Sequence, residues 1–230
     1  MLRYLVGPLL CLPLYALGGA HGPFPPLASL LFSSLLYAAG TLRGRWSAFC
    51  MTVAGVLFLA IGFGLVPGFE RIALGSASVS SGKALAGLSV MAALPSCWHW
   101  NRHCSVVALA CLVLLPMLGW AVGYARWAPA ALSMLAGFAF ANVFSVIAEE
   151  WFFRRWVQQP LQRHGVALSI VVSALLFGLV HFGGGPMFMA LAAFAGLAYA
   201  GVYRLSGGSV WAAVALHWML NIVRVALFGS

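Results

Sequence analysis

Two adjacent carboxylates, Glu149 and Glu150, lie just ahead of Arg154, and the only other acid in the 230-residue chain is Glu70. Further on come two histidines in apolar surroundings: His181, four residues after Phe177, and His217, four residues before Asn221. These residue types suit acid–base chemistry, since a carboxylate can take a proton and an imidazole can share it. Residues four apart share a helix face, whereas neighbours are rotated by about 100°. Glu150 can therefore pair with Arg154, which leaves Glu149 pointing elsewhere and available for acid–base work.

The elements that must carry these groups are set by composition. With 63% hydrophobic and 7% charged residues and a mean hydropathy of +1.02, the chain lacks the charge to cover a soluble surface. It is expected in a bilayer, where an ionisable side chain is costly unless it has a partner or a task. The net charge of +9 does not point to nucleic acid, because the 12 Lys and Arg are scattered between apolar runs without a basic tract. Five cysteines without a CxxC pair suit packing better than disulfides or a zinc site.

Runs of about 20 apolar residues mark spanning helices. They fall near 2–20, 25–42, 46–66, 84–98, 104–124, 129–153, 166–183, 187–203 and 209–228. The expected fold is all-α, a polytopic transmembrane helical bundle of eight to nine spans. Residues 1–128 would supply amino-terminal spans and residues 129–230 a catalytic core, within one continuous bundle. The fourth segment is short, follows the polar Gly75–Lys83 stretch and ends at Pro95, so it could instead be re-entrant or interfacial. If it crosses, Arg3, Arg43, Arg45, Arg102, Arg154, Arg155, Arg163 and Arg204 lie on one side, which makes the amino terminus cytoplasmic. Arg71, Lys83, Arg126 and Arg224 lie on the other. At 1.5 Å per residue, Glu149 is about 16 Å from the Pro160 break, and His181 and His217 are about 21 and 12 Å from their helix starts. All three can then meet near the middle of one membrane.

Blander accounts compete with a catalytic one. Glu149 to Trp156 could be a membrane exit, with Arg154 and Arg155 snorkelling and Trp151 and Trp156 in an interfacial belt. The buried polar residues could line a transport path or belong to a scaffold, although they are confined to the last third of the chain and no paired broken helices appear. Glu149, His181 and His217 also form the two-histidine, one-glutamate set of several zinc peptidases. Against zinc, no HExxH helix is present, and Asn221 is a poor zinc ligand but a good oxyanion donor.

Glu149-Glu150-x-x-x-Arg154, Phe177-x-x-x-His181 and His217-x-x-x-Asn221, in that order on separate spans, resemble the three motifs of the CAAX protease and bacteriocin-processing intramembrane proteases. The resemblance covers roughly residues 130–225. Gly82-Lys83-Ala84-Leu85-Ala86-Gly87-Leu88 further resembles a segment of some bacterial members. The resemblance implies a glutamic-type, metal-independent endopeptidase in which Glu149 and His181 activate a water and His217 with Asn221 forms the oxyanion site. Glu150, Arg154 and Phe177 would support them, with no cofactor. It also implies a multi-pass protein of a bacterial inner membrane, acting on a membrane-anchored protein or peptide near its carboxyl terminus.

Overall fold

The computed structural model describes residues 9, 11–16, 19–74, 77–93 and 97–228. In chain order its elements are α1 (Cys11–Ala16), α2 (Phe24–Thr41), α3 (Gly44–Gly62), β1 (Arg71–Leu74), β2 (Ala77–Ser80), α4 (Ser81–Ala93) and α5 (Arg102–Ala121). There follow α6 (Leu132–Glu150), α7 (Val166–Leu179), α8 (Gly185–Leu205) and α9 (Val210–Phe228). Among the described residues, six helices are long and apolar enough to cross a membrane: α2, α3, α5, Leu132–His164, Phe182–Leu205 and α9. The chain is an integral membrane protein dominated by helix.

Several expected spans change shape. The run at 2–20 lies largely outside the described residues. The run at 84–98 becomes the 13-residue α4, and that at 166–183 the 14-residue α7. At 1.5 Å per residue these reach only about 20 Å, short of a hydrocarbon core of about 30 Å. The polar stretch before α4 is not a loop throughout. β1 and β2 pair antiparallel, with Arg71 opposite Ser80 and Leu74 opposite Ala77.

The helical backbone does not end at Glu150. From Trp151 to Gln158 the backbone continues as a π-helix, followed by a helical turn at Gln159–Leu161 that accommodates Pro160 near its start. Hydrogen bonds in a π-helix run i→i+5, so the turn is wider than the α-helix expected from the apolar pattern.

The described residues fall into two compact units. One comprises those of Met1–Pro95 with Phe140–Phe152, the other those of Ser96–Ala139 with Phe153–Ser230. In the first, Trp151 is buried, with its ring edge-on to Phe32 at 5.6 Å and to Phe58 at 6.2 Å. It packs α2, α3 and the end of this segment together rather than lying in an interfacial belt. α4 meets α6 backbone to backbone at Gly87, where a Cβ would fall 1.8 Å from the Phe144 carbonyl oxygen, so only glycine fits.

The second unit is built around a similarly close crossing. A Cβ on Gly178 of α7 would stand 2.6 Å from the Met189 carbonyl oxygen and 2.7 Å from Ala193 Cβ on α8. Small residues let these backbones approach. Asn101 caps α5 by accepting from the His103 and Cys104 amides and donates to the Leu205 carbonyl at 2.8 Å, tying α5 to the end of α8. The Trp218 indole donates to the Ala139 carbonyl at 2.8 Å, joining α9 to α6.

Candidate active site

In the second unit, Phe177 gathers the two histidines. It lies in the last turn of α7 and is 2% exposed; its ring centroid is 4.7 Å from His181 and 5.4 Å from His217, the latter edge-on. The close α7–α8 crossing brings Tyr199 of α8 edge-on to Phe177 at 5.6 Å and stacked on His217 at 4.5 Å with a 14° interplanar angle. Phe153 closes the cluster, 4.9 Å from Phe177. His217 is thus buried with its ring plane fixed by Tyr199 and its edge by Phe177. Asn221 follows His217 by one turn on the same face of α9.

His181 is not within a spanning helix as expected. α7 ends at Leu179, and His181 opens the 3-10 turn Phe182–Gly184. Its Nδ1 lies 2.6 Å from the Phe177 carbonyl oxygen. A carbonyl only accepts, so Nδ1 carries the hydrogen and the neutral ring keeps its lone pair on Nε2. One backbone bond thereby sets both the tautomer and the direction in which the basic nitrogen points. His181 also meets Phe188 of α8 edge-on at 5.4 Å.

Arg154 does not snorkel. It is 0% exposed, its Nη1 donates to Gln158 Oε1 at 2.8 Å and to Ser173 Oγ at 3.2 Å, and Gln158 Nε2 donates to the Ala200 carbonyl at 3.0 Å. Ser173 Oγ in turn donates to the Phe153 carbonyl at 3.1 Å. One guanidinium thus ties the π-helix to α7 directly and to α8 through Gln158, behind the aromatic cluster. A buried cation of this kind is strongly destabilising to break, since removing one member leaves the other polar groups unsatisfied.

In the first unit, Glu150 is wholly buried, and Glu149 is not left without a cation. Lys83 Nζ, in the first turn of α4, donates to Glu149 Oε1 at 2.8 Å, with side-chain exposures of 31% and 14%. Helix-face spacing could not reveal a partner 66 positions upstream, but one signal was available: Lys83 is the only lysine among the 12 Lys and Arg. Tyr199, Gln158 and Ser173 were also missed, because nothing local marks a tyrosine, glutamine or serine in an apolar run as a contact of a histidine or an arginine. Among the described residues no three His, Cys, Asp or Glu side chains group as metal ligands.

Residues 131–223 match the family model described as type II CAAX prenyl endopeptidase Rce1-like. The matched stretch contains all seven motif residues. No curated protein and no solved structure matches the chain.

Proposed function

We propose, from the match of residues 131–223 to the Rce1-like type II CAAX prenyl endopeptidase model, that the chain is a glutamic-type intramembrane endopeptidase. It hydrolyses a peptide bond near the carboxyl terminus of a membrane-anchored protein that carries a lipid or a sorting tail. Glu149 takes a proton from a water steered by His181 Nε2, and the nascent hydroxide attacks the scissile carbonyl. His217 and Asn221 donate to the oxyanion, and Glu149 returns the proton to the departing amine. No metal takes part.

The observation that carries the reading is the family match over a stretch containing all three motifs, with Phe177 in contact with both histidines. Arg154 and Glu150 stiffen the segment bearing the base, and Phe177 holds the imidazoles. The protein sits in a bacterial inner membrane with its amino-terminal side cytoplasmic. Among the described residues, the six long helices supply most of the eight or nine spans expected from the apolar runs.

The test compares the carboxyl termini of membrane proteins, by mass spectrometry, in cells carrying the wild type or Glu149→Gln. A set of tails shortened only in wild-type cells is expected. Identical termini throughout, with both proteins present in the membrane, would count against a protease.

A further inference from the structure

We propose that Lys83 is a positioning residue of the hydrolytic site, its ammonium fixing the Glu149 carboxylate in the orientation from which it takes the proton of water. The inference rests on Glu149 being the base, and it brings into the reaction a residue outside the matched segment 131–223.

Four observations converge on Lys83. Its Nζ lies 2.8 Å from Glu149 Oε1, and the carboxylate is only 14% exposed, so the contact is little screened by water. The helix bearing Lys83 is pinned on either side of that residue. The Lys83 amide donates to Ser80 Oγ at 3.3 Å, and one turn on, Gly87 lies directly against the backbone of Phe144 in α6, the helix that carries Glu149. A cation in the first turn of a helix works against the helix dipole, so local helix stability does not account for Lys83. Finally, Lys83 is the sole lysine in a chain whose other cations are all arginine.

The choice of lysine has a chemical reason. A guanidinium forks onto both oxygens of a carboxylate, whereas an ammonium is a point charge. A carboxylate offers about four acceptor sites, and a single ammonium on Oε1 restrains the group without consuming the rest. Lysine thus orients the base yet leaves it able to work, whereas arginine at this position would occupy it.

The test uses the full chain in proteoliposomes with a tail peptide found by the terminus comparison. Lys83→Met, which keeps the stem, is expected to lower kcat by about 100-fold, part of the 10²- to 10⁴-fold a positioned base supplies, with KM within threefold. Lys83→Arg is expected to match wild-type thermal stability and remain at least tenfold slow. Methylammonium is expected to raise the rate of Lys83→Ala at least tenfold and leave that of Lys83→Met unchanged, a response that a packing role would not produce. Wild-type kcat in Lys83→Met, or full activity in Lys83→Arg, would overturn the proposal, as would losses that follow unfolding and ignore methylammonium. If Lys83→Ala does not fold, the kcat of folded Lys83→Met decides. Full activity in Glu149→Gln would instead remove the premise, whereas an inactive Glu149→Gln beside a normal Lys83→Met would sink this inference alone.

Discussion

Replacing Gly87 with alanine tests the packing that delivers Lys83 to Glu149. The added Cβ would lie 1.8 Å from the Phe144 carbonyl oxygen and 2.6 Å from its carbon, where ordinary contact begins at 3.4 Å. The obstacle is helix backbone on both sides, so no side chain can swing away, and α4 must retreat from α6 by about 1.6 Å. Lys83, one turn away, starts 2.8 Å from Glu149 and would be carried to about 4.4 Å, beyond hydrogen-bond reach, unless its stem re-extends. Overpacking of this kind costs about 1–3 kcal/mol. The control is Gly137→Ala in α6, where nothing lies within 4 Å of the new Cβ; that change should be neutral or stabilise by up to about 1 kcal/mol. Thermal unfolding in lipid nanodiscs and cleavage of the tail peptide read both effects. Gly87→Ala with the stability and rate of Gly137→Ala would refute the close approach and the route by which Lys83 reaches its partner.

Three further outcomes are expected. Arg154→Ala strips the donor from Gln158 and Ser173 and should lower stability by about 3–5 kcal/mol in the same unfolding assay, with Arg154→Lys recovering only part because an ammonium cannot fork. Phe177→Ala removes ring contacts to His181, His217, Tyr199 and Phe153 and should cost about 3–5 kcal/mol as well as most of the activity; Phe177→Leu should fold better and still cleave slowly. Prolonged treatment with a strong zinc chelator should leave the cleavage rate unchanged, whereas loss of activity that zinc restores would reinstate the metal alternative.

Apolar run length located the long helices, because a bilayer imposes the same minimum on every span. It could not give the backbone of Trp151–Gln158, since the hydrophobic pattern does not distinguish i→i+4 from i→i+5 bonding. The same segment shows why composition misleads at membrane edges. Trp151 and Arg154 look like an interfacial belt with a snorkelling cation, and only burial reveals a packed ring and an internal clamp. The end of α7 before His181 was legible in principle, because Gly183, Gly184 and Gly185 follow at once and glycine stops helices. The hairpin was harder. Its strands hold only four residues each, with alanine and serine carrying little strand preference, and Gly75-Ser76 between them was the sole turn signal. The motif residues themselves were visible because their chemistry is rare in so apolar a chain. Their partners Lys83 and Tyr199 were not, because those contacts join separate helices.

The central claim is that Glu149, His181, His217 and Asn221 act as one hydrolytic unit, and groups that share a transition state do not contribute additively. The decisive measurement is the single-turnover cleavage rate of Glu149→Gln, of His217→Ala and of the double variant, each confirmed folded by thermal unfolding. The account predicts that either single change removes nearly all the rate and that the double variant is no slower than the worse single. Near-wild-type rates in either single variant, or losses that multiply in the double, would contradict it.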